Sequence, residues 1–264
     1  MLSKIKRYIK IHINSLKYDW LAFTVYRTQA VIWGLVILLS SISGVVTISV
    51  IYNISNGING WNYYQVLMLV GLTNMMAGMF HYFGLDGIPN KLRNGGFDQM
   101  LVKPYNPIGM LLLFRPQSPN IITILTGFGI FATSAYFLNL GVINILVILL
   151  LFFIGVATFI MFMLTLYLVF YVLTKGKSQW LRTLSLYIGG TASSYPLNIF
   201  GTTLMILFTI VLPVGLATYY PAGFVFGKIS LETLLLLIIF EIISIVVYYK
   251  LSKWLLTKYT SAGG

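Results

Sequence analysis

Apolar residues along the chain collect into six long runs, at 29–52, 63–85, 120–138, 141–173, 198–218 and 231–251. A helix crossing a hydrocarbon core of about 30 Å needs about 20 residues, so each run predicts one transmembrane helix. The fourth run, 33 residues from 141 to 173, makes about 50 Å of helix at about 1.5 Å per residue, so it must tilt or project beyond the bilayer. Only Asn139 and Leu140 separate the third run from the fourth, which predicts an antiparallel pair. Before the fifth run the chain reads Gly189-Gly190-Thr191-Ala192-Ser193-Ser194, then Pro196. Small residues permit close helix approach and proline removes a backbone donor, so a broken or kinked entry is expected there. The stretch 214–230 is too apolar for an exterior loop, yet too interrupted by glycine and proline to cross. It predicts a re-entrant or interfacial element sheltered by protein, as non-helical backbone at membrane depth must be. No internal repeat emerges, which argues against the inverted-repeat transporters.

Ahead of the first run, Leu2, Ile5, Ile9, Ile13, Leu16 and Trp20 recur at steps of three and four, one stripe of a helix. Lys6, Arg7, Lys10 and Lys17 lie to one flank and behind it. Residues 1–28 therefore predict an amphipathic helix lying in the membrane interface, although Ile11 falls off the apolar stripe. The same residues lack the short apolar core and cleavage site of a signal peptide.

Charge adds an orientation. Threaded as six spans, the chain puts sixteen of its seventeen Lys and Arg residues on one side and leaves Lys228 on the other. Positive residues stay cytoplasmic, so both termini are expected inside the cell membrane, with residues 53–62 outside. Only 8% of residues are charged and 58% are hydrophobic, against about 25% charged in ordinary soluble domains. A net charge of +12 in a soluble protein would point to nucleic acid. Here the basic residues flank spans, where topology and anionic headgroups account for them, so no nucleic-acid partner is expected. There is no cysteine, hence no disulfide, thiolate nucleophile or cysteine-ligated metal. A length of 264 residues fits one membrane domain, 1–264, without a separate soluble catalytic domain.

Candidate chemistry is sparse. Gly176-Lys177-Ser178 looks like the end of a phosphate-binding loop, but the position needing the first glycine holds Tyr171. His12 and His81 are far apart in sequence with no carboxylate cluster, so a metal site is not expected. Asn53-Ile54-Ser55 matches a glycosylation acceptor, a tripeptide common by chance. Met68, Met75, Met76 and Met79 are read as helix-interface fillers. Glu241 stands alone inside the last run. A charged acid at the centre of a span costs about 2.5–3.5 kcal/mol on insertion scales, so it should face protein, water or a partner. It is either a proton- or cation-handling site in a translocation path, or a carboxyl kept neutral or tied to a neighbouring helix. The lack of a second intramembrane acid or base favours the latter; the former is the basis of an alternative reading, an ion-coupled secondary transporter or channel.

The polar loop 86–104 after the second run is punctuated by glycine and could hold one short helix around 89–93. It carries Arg93, Gly95 or Gly96, Asp98, Leu101, Lys103 and Pro104 in order. Together with Tyr26-Arg27, Tyr219-Tyr220-Pro221-Ala222 and Tyr259-x-Ser261-Ala262-Gly263, this pattern resembles the six-span permease subunits of type-2 ABC exporters over nearly the whole chain. The doubled glycine, Gly95-Gly96, leaves the loop register open by one residue.

The resemblance implies an all-α integral membrane fold with an N-terminal interfacial helix, a cytoplasmic coupling helix and a re-entrant outer element before the last span. It also implies a transport subunit rather than an enzyme, working with two ATPase subunits and a second permease copy or paralogue. ATP and Mg would bind on the ATPases and no cofactor on this chain. The path would lie between permeases, nearest the first, second and fifth spans, and carry an amphiphilic drug, peptide or lipid-linked molecule outward. The residues it assigns to ATPase coupling are Asn90, Lys91, Leu92, Arg93, Phe97 and Asp98.

Overall fold

A computed structural model describes residues 2–25, 27–55, 57–58, 60–113, 116–174 and 193–260. All regular structure in them is helical: α1 (Leu2–Val25), α2 (Arg27–Ile54), α3 (Tyr63–Tyr82), α4 (Ile88–Arg93), α5 (Asp98–Leu101), α6 (Pro107–Leu113), α7 (Ile121–Phe137), α8 (Val142–Thr174), α9 (Gly201–Ile206), α10 (Tyr219–Val225) and α11 (Leu231–Leu256). Tight 3-10 turns at Leu85–Gly87, Ser118–Asn120 and Leu197–Phe200 supplement them, and α9 widens into a π-turn at Leu207–Val211. Among the described residues, four helical stretches are long and apolar enough to cross a membrane: Arg27–Ile54, Ser118–Phe137, Val142–Thr174 and Leu231–Leu256. A fifth is added if α3 and Leu85–Arg93, bent by 47° at their junction, count as one. The protein is thus a multi-pass, all-helical membrane protein.

Local chemistry sets the ends of these helices. The side chain of Asn62 accepts a hydrogen bond from the Tyr64 amide, while Gln65 accepts one from the Asn62 amide. This reciprocal cap satisfies amides that α3 leaves without intrahelical partners. Ser230 caps α11 in the same sense, accepting from the Thr233 amide at 3.2 Å. At the other end of α3, Gly84 adopts a φ of +63°, a left-handed conformation that glycine takes without steric cost, and there the chain turns away.

Side-chain pairs give the helix directions. Ser49 meets the Tyr63 hydroxyl at 2.9 Å and Asn74 donates to the Ser41 carbonyl at 2.8 Å, so α2 and α3 run antiparallel. Tyr64 stacks on Phe137 with centroids 4.6 Å apart, while Gly78 abuts Ile124, so α3 and α7 are also antiparallel. Along α8 and α11, Phe162 meets Tyr248, Thr165 meets Ser252 at 2.8 Å and Tyr171 donates to the Thr260 carbonyl at 2.9 Å. Both numbers rise together, so these two helices run parallel. The bundle has one end where the α2–α3 connection lies and an opposite, basic end. Every described Lys and Arg outside residues 2–5 occupies an element of the basic end except Lys228.

Two expectations change. The short link at Asn139 and Leu140 does not make α7 and α8 a packed pair: α7 packs chiefly on α3 and secondarily on α2, and α8 on α11. Glycine decides this. A Cβ on Gly71 would sit 2.7 Å from the Phe131 amide, and one on Gly127 would sit 2.6 Å from that of Met75. Backbones this close exclude any larger side chain, and the reward is dense packing where lipid offers no hydrophobic drive. The run 198–218 is likewise not a single spanning helix. Asn198 accepts from the Trp61 indole at 3.2 Å, Leu197 packs on Gly215, and Thr209 meets the Tyr220 hydroxyl at 2.9 Å. Its two ends therefore lie at the α2–α3 end of the bundle. The break comes at Gly201, whose φ of +77° reverses the chain. Because α8 and α11 are parallel, the chain returns once between Thr174 and Leu231.

Candidate functional site

The loop joining α3 to α6 builds a small platform at the basic end. In α4, Ile88 and Leu92 are fully buried while Arg93 and Asn94 are exposed, so six residues suffice to anchor one face and present the other. The buried face packs on α8 rather than on α3. Gly95 takes a φ of +69°, the conformation that ends a short helix, and lets the Phe97 amide bond back to the Lys91 carbonyl at 3.0 Å. Gly96 needs no such conformation, and a Cβ built on it would lie 3.5 Å from the Lys91 backbone, an ordinary contact. The glycine required by the turn is therefore Gly95.

Of the six loop residues singled out from sequence, the structure exposes Arg93, which donates to the Asn94 side chain at 3.2 Å. Asn90, Lys91 and Asp98 are half-buried, and Leu92 and Phe97 are core residues. Phe97 meets Tyr259 edge-on at 5.0 Å, and the Tyr259 hydroxyl donates to the Leu92 carbonyl at 3.3 Å. Burial, and then the Asp98 carboxylate beside it, hold the Tyr259 phenol well above the ordinary tyrosine range, so it remains a donor. Asp98 thus faces the C-terminal tail, whereas Arg93 faces outward.

A second polar cluster ties α1 to this end. Asp19 accepts from the backbone amide of Ser118 at 2.6 Å and from its hydroxyl. His12 bridges the Leu113 carbonyl at 3.1 Å and the Tyr82 hydroxyl at 2.7 Å, and Tyr8 accepts from the Asn106 amide at 2.9 Å. Asp86 accepts from Gln117 at 3.1 Å and faces His81 at 3.8 Å. Tyr8, Ile11, His12 and Asp19 make one protein-facing side of α1, while Ile9, Ile13 and Trp20 stay exposed. Ile11, off the apolar stripe, belongs to the side that docks on protein.

Glu241 is 4% exposed and shares a face of α11 with Ser244 and Ser252, the face that packs on α8. Among the described residues it forms no ion pair. Met68, Met75 and Met76 are buried on α3 and Met79 packs against the core, as helix-interface fillers should. Sequence reasoning missed the Trp61 cluster, in which Lys228 lies 4.8 Å over the indole and bonds to the Gly60 carbonyl. It also missed the α3–α7 glycines, whose signal is the seven-residue spacing of Gly71 and Gly78 on one helix face. Tyr26, Arg115, Gly176-Lys177-Ser178 with the basic loop around it, most of the small-residue stretch 189–194 and the motif residues 261–263 lie outside the described residues.

Residues 35–263 match the family described as ABC-2 family transporter protein. The chain is an ABC-2 permease subunit. No curated protein and no solved structure matches it. Membership makes this permease a multi-pass transport subunit and implies association with ABC ATPase subunits. The match spans the loop platform, Glu241 and the Trp61 cluster alike, and omits all of α1 and the first turns of α2.

Proposed function

We propose that this permease moves an amphiphilic substrate, such as a drug, peptide or lipid-linked molecule, outward across the cell membrane, powered by two separate ATPase subunits. The observation that carries the coupling is the loop platform, which holds exposed Arg93 and Asn94 on a buried anchor of Ile88, Leu92 and Phe97. An anchored, protruding, basic tip is a surface a soluble subunit can seat on and push. ATP-driven closure of the ATPases then shifts the permease between two states through differential contacts at this loop.

Six crossings fit the alternation of helix directions: α2, α3, α7 and α8 alternate, α11 parallels α8, and one return lies between them. The basic end is then cytoplasmic, with both termini, and the Trp61 end external. The face of α2 bearing Val31, Leu35, Leu39, Ile42 and Val46 is uncovered, which suits lipid or a second permease.

The test is reconstitution with ABC ATPase subunits. ATP hydrolysis that depends on the permease, and export that needs ATP rather than an ion gradient, is the expected result. Transport by the permease alone on a proton or sodium gradient would overturn it and favour ion coupling at Glu241.

A further inference from the structure

We propose that Tyr259 clamps the coupling loop to α8 and α11, so that these parts move as one body. The inference rests on the exporter reading for its purpose, and on the structure alone for its mechanics. The loop leaves α3 through Gly84 and a 47° bend, so α3 is poorly placed to receive a push. Its anchor packs on α8.

The C-terminal tail closes the connection. The Tyr259 ring stacks on Tyr171 of α8, with centroids 5.2 Å apart, and meets Phe97 of the loop edge-on at 5.0 Å. Its hydroxyl donates to Leu92 of α4 at 3.3 Å. Tyr171 returns a bond to the Thr260 carbonyl at 2.9 Å. One side chain three residues beyond α11 therefore touches the loop and α8 while belonging to the α11 chain.

Farther from the tail, Thr165 bridges α8 to both Ser252 and the Tyr248 carbonyl of α11. The partner body is α2, α3 and α7, locked by the glycine contacts. Force entering at Arg93 is thereby passed to the parallel pair α8 and α11 rather than back to α3. A shared body, not a wire of residues, is the physical claim.

The chain has no cysteine, so spin labels can be placed on Gln99→Cys, exposed on α5 of the loop, and on Val247→Cys, exposed on α11. The distance between them is measured by pulsed electron resonance in lipid nanodiscs, with the co-purified ATPase subunits, without nucleotide and with ATP plus vanadate. The expected result is a narrow distribution that is the same in both conditions. Tyr259→Ala should broaden it and make it respond to nucleotide. Tyr259→Phe keeps the stack and loses the hydroxyl bond, which should raise the undocked fraction about fivefold.

A wild-type distance that changes with nucleotide, or a Tyr259→Ala distribution as narrow as the wild type's, overturns the clamp. If Tyr259→Ala fails to assemble, Tyr259→Phe decides, and a wild-type distribution there overturns it too. If no ATPase subunit co-purifies, the exporter reading fails, while the nucleotide-free comparison still decides the clamp.

Discussion

Glu241 is where a single residue separates two mechanisms. Its carboxyl lies on the packed face of α11 and carries no ion pair among the described residues. An ionised carboxylate there would lack compensation in a medium of low dielectric. If ATP is the motor, Glu241→Gln keeps size and polarity and should retain most ATP-dependent transport. Complete loss of transport with normal assembly would revive ion coupling. Arg93 sits at the opposite extreme, exposed and on a rigid base. Arg93→Ala should leave membrane insertion unchanged and weaken ATPase engagement about fivefold, the scale of one polar contact. Unchanged stimulation of ATP hydrolysis would remove it from the docking surface. Asp98 faces Tyr259 instead, so Asp98→Ala should act by loosening the tail from the loop, an effect the spin-label distance reads directly.

At the scale of elements, packing partners follow from residue size more than from chain order. α7 is joined to α8 by only the four residues 138–141, yet it packs on α3 because Gly71, Gly78 and Gly127 let those backbones meet. Gly127→Val should therefore destabilise the bundle by about 1–3 kcal/mol, the usual cost of overpacking. Thermal unfolding in detergent measures this, and an unshifted midpoint would mean that the helices separate without penalty. Gly129, with nothing near its absent side chain, is the matched control and should tolerate alanine. The N-terminal helix illustrates a subtler point. Its apolar stripe is visible as periodicity, but its docking face is polar, made by Tyr8, His12 and Asp19. Such a face has no hydrophobic signature, because its partners are backbone and side-chain polar groups 70 to 101 residues away in sequence.

At the scale of the whole molecule, the proposed orientation is open to a direct test. Ser55 and Gln99 are exposed at opposite ends of the bundle. In intact cells a membrane-impermeant maleimide should label Ser55→Cys and should reach Gln99→Cys only after permeabilisation. The reverse pattern would invert the topology and place Arg93 out of reach of any cytoplasmic ATPase. Mass determination of the intact assembly in mild detergent should find two permeases with two ATPases. A transport-competent monomer without ATPase would defeat both that stoichiometry and the exporter reading.

The sequence by itself determined the class of the molecule and which of its ends carries the basic residues. Long apolar runs force helices in a solvent that cannot bond backbone groups, and the segregation of Lys and Arg is written in composition. It also marked out the polar loop 86–104, because a glycine-punctuated polar island between apolar runs has few readings. Tertiary structure decided what hydropathy cannot encode. The apolar run from 198 to 218 has the length of a span, yet it folds back on Trp61 because Gly201 reverses it and Asn198 finds an indole donor 137 positions away. Likewise the partners of α7, the choice of Gly95 over Gly96 and the inward turn of Asp98 depend on close approach, backbone sign and distant neighbours. Hydrophobicity sets which residues leave water, whereas shape and hydrogen bonding between remote segments set what they meet.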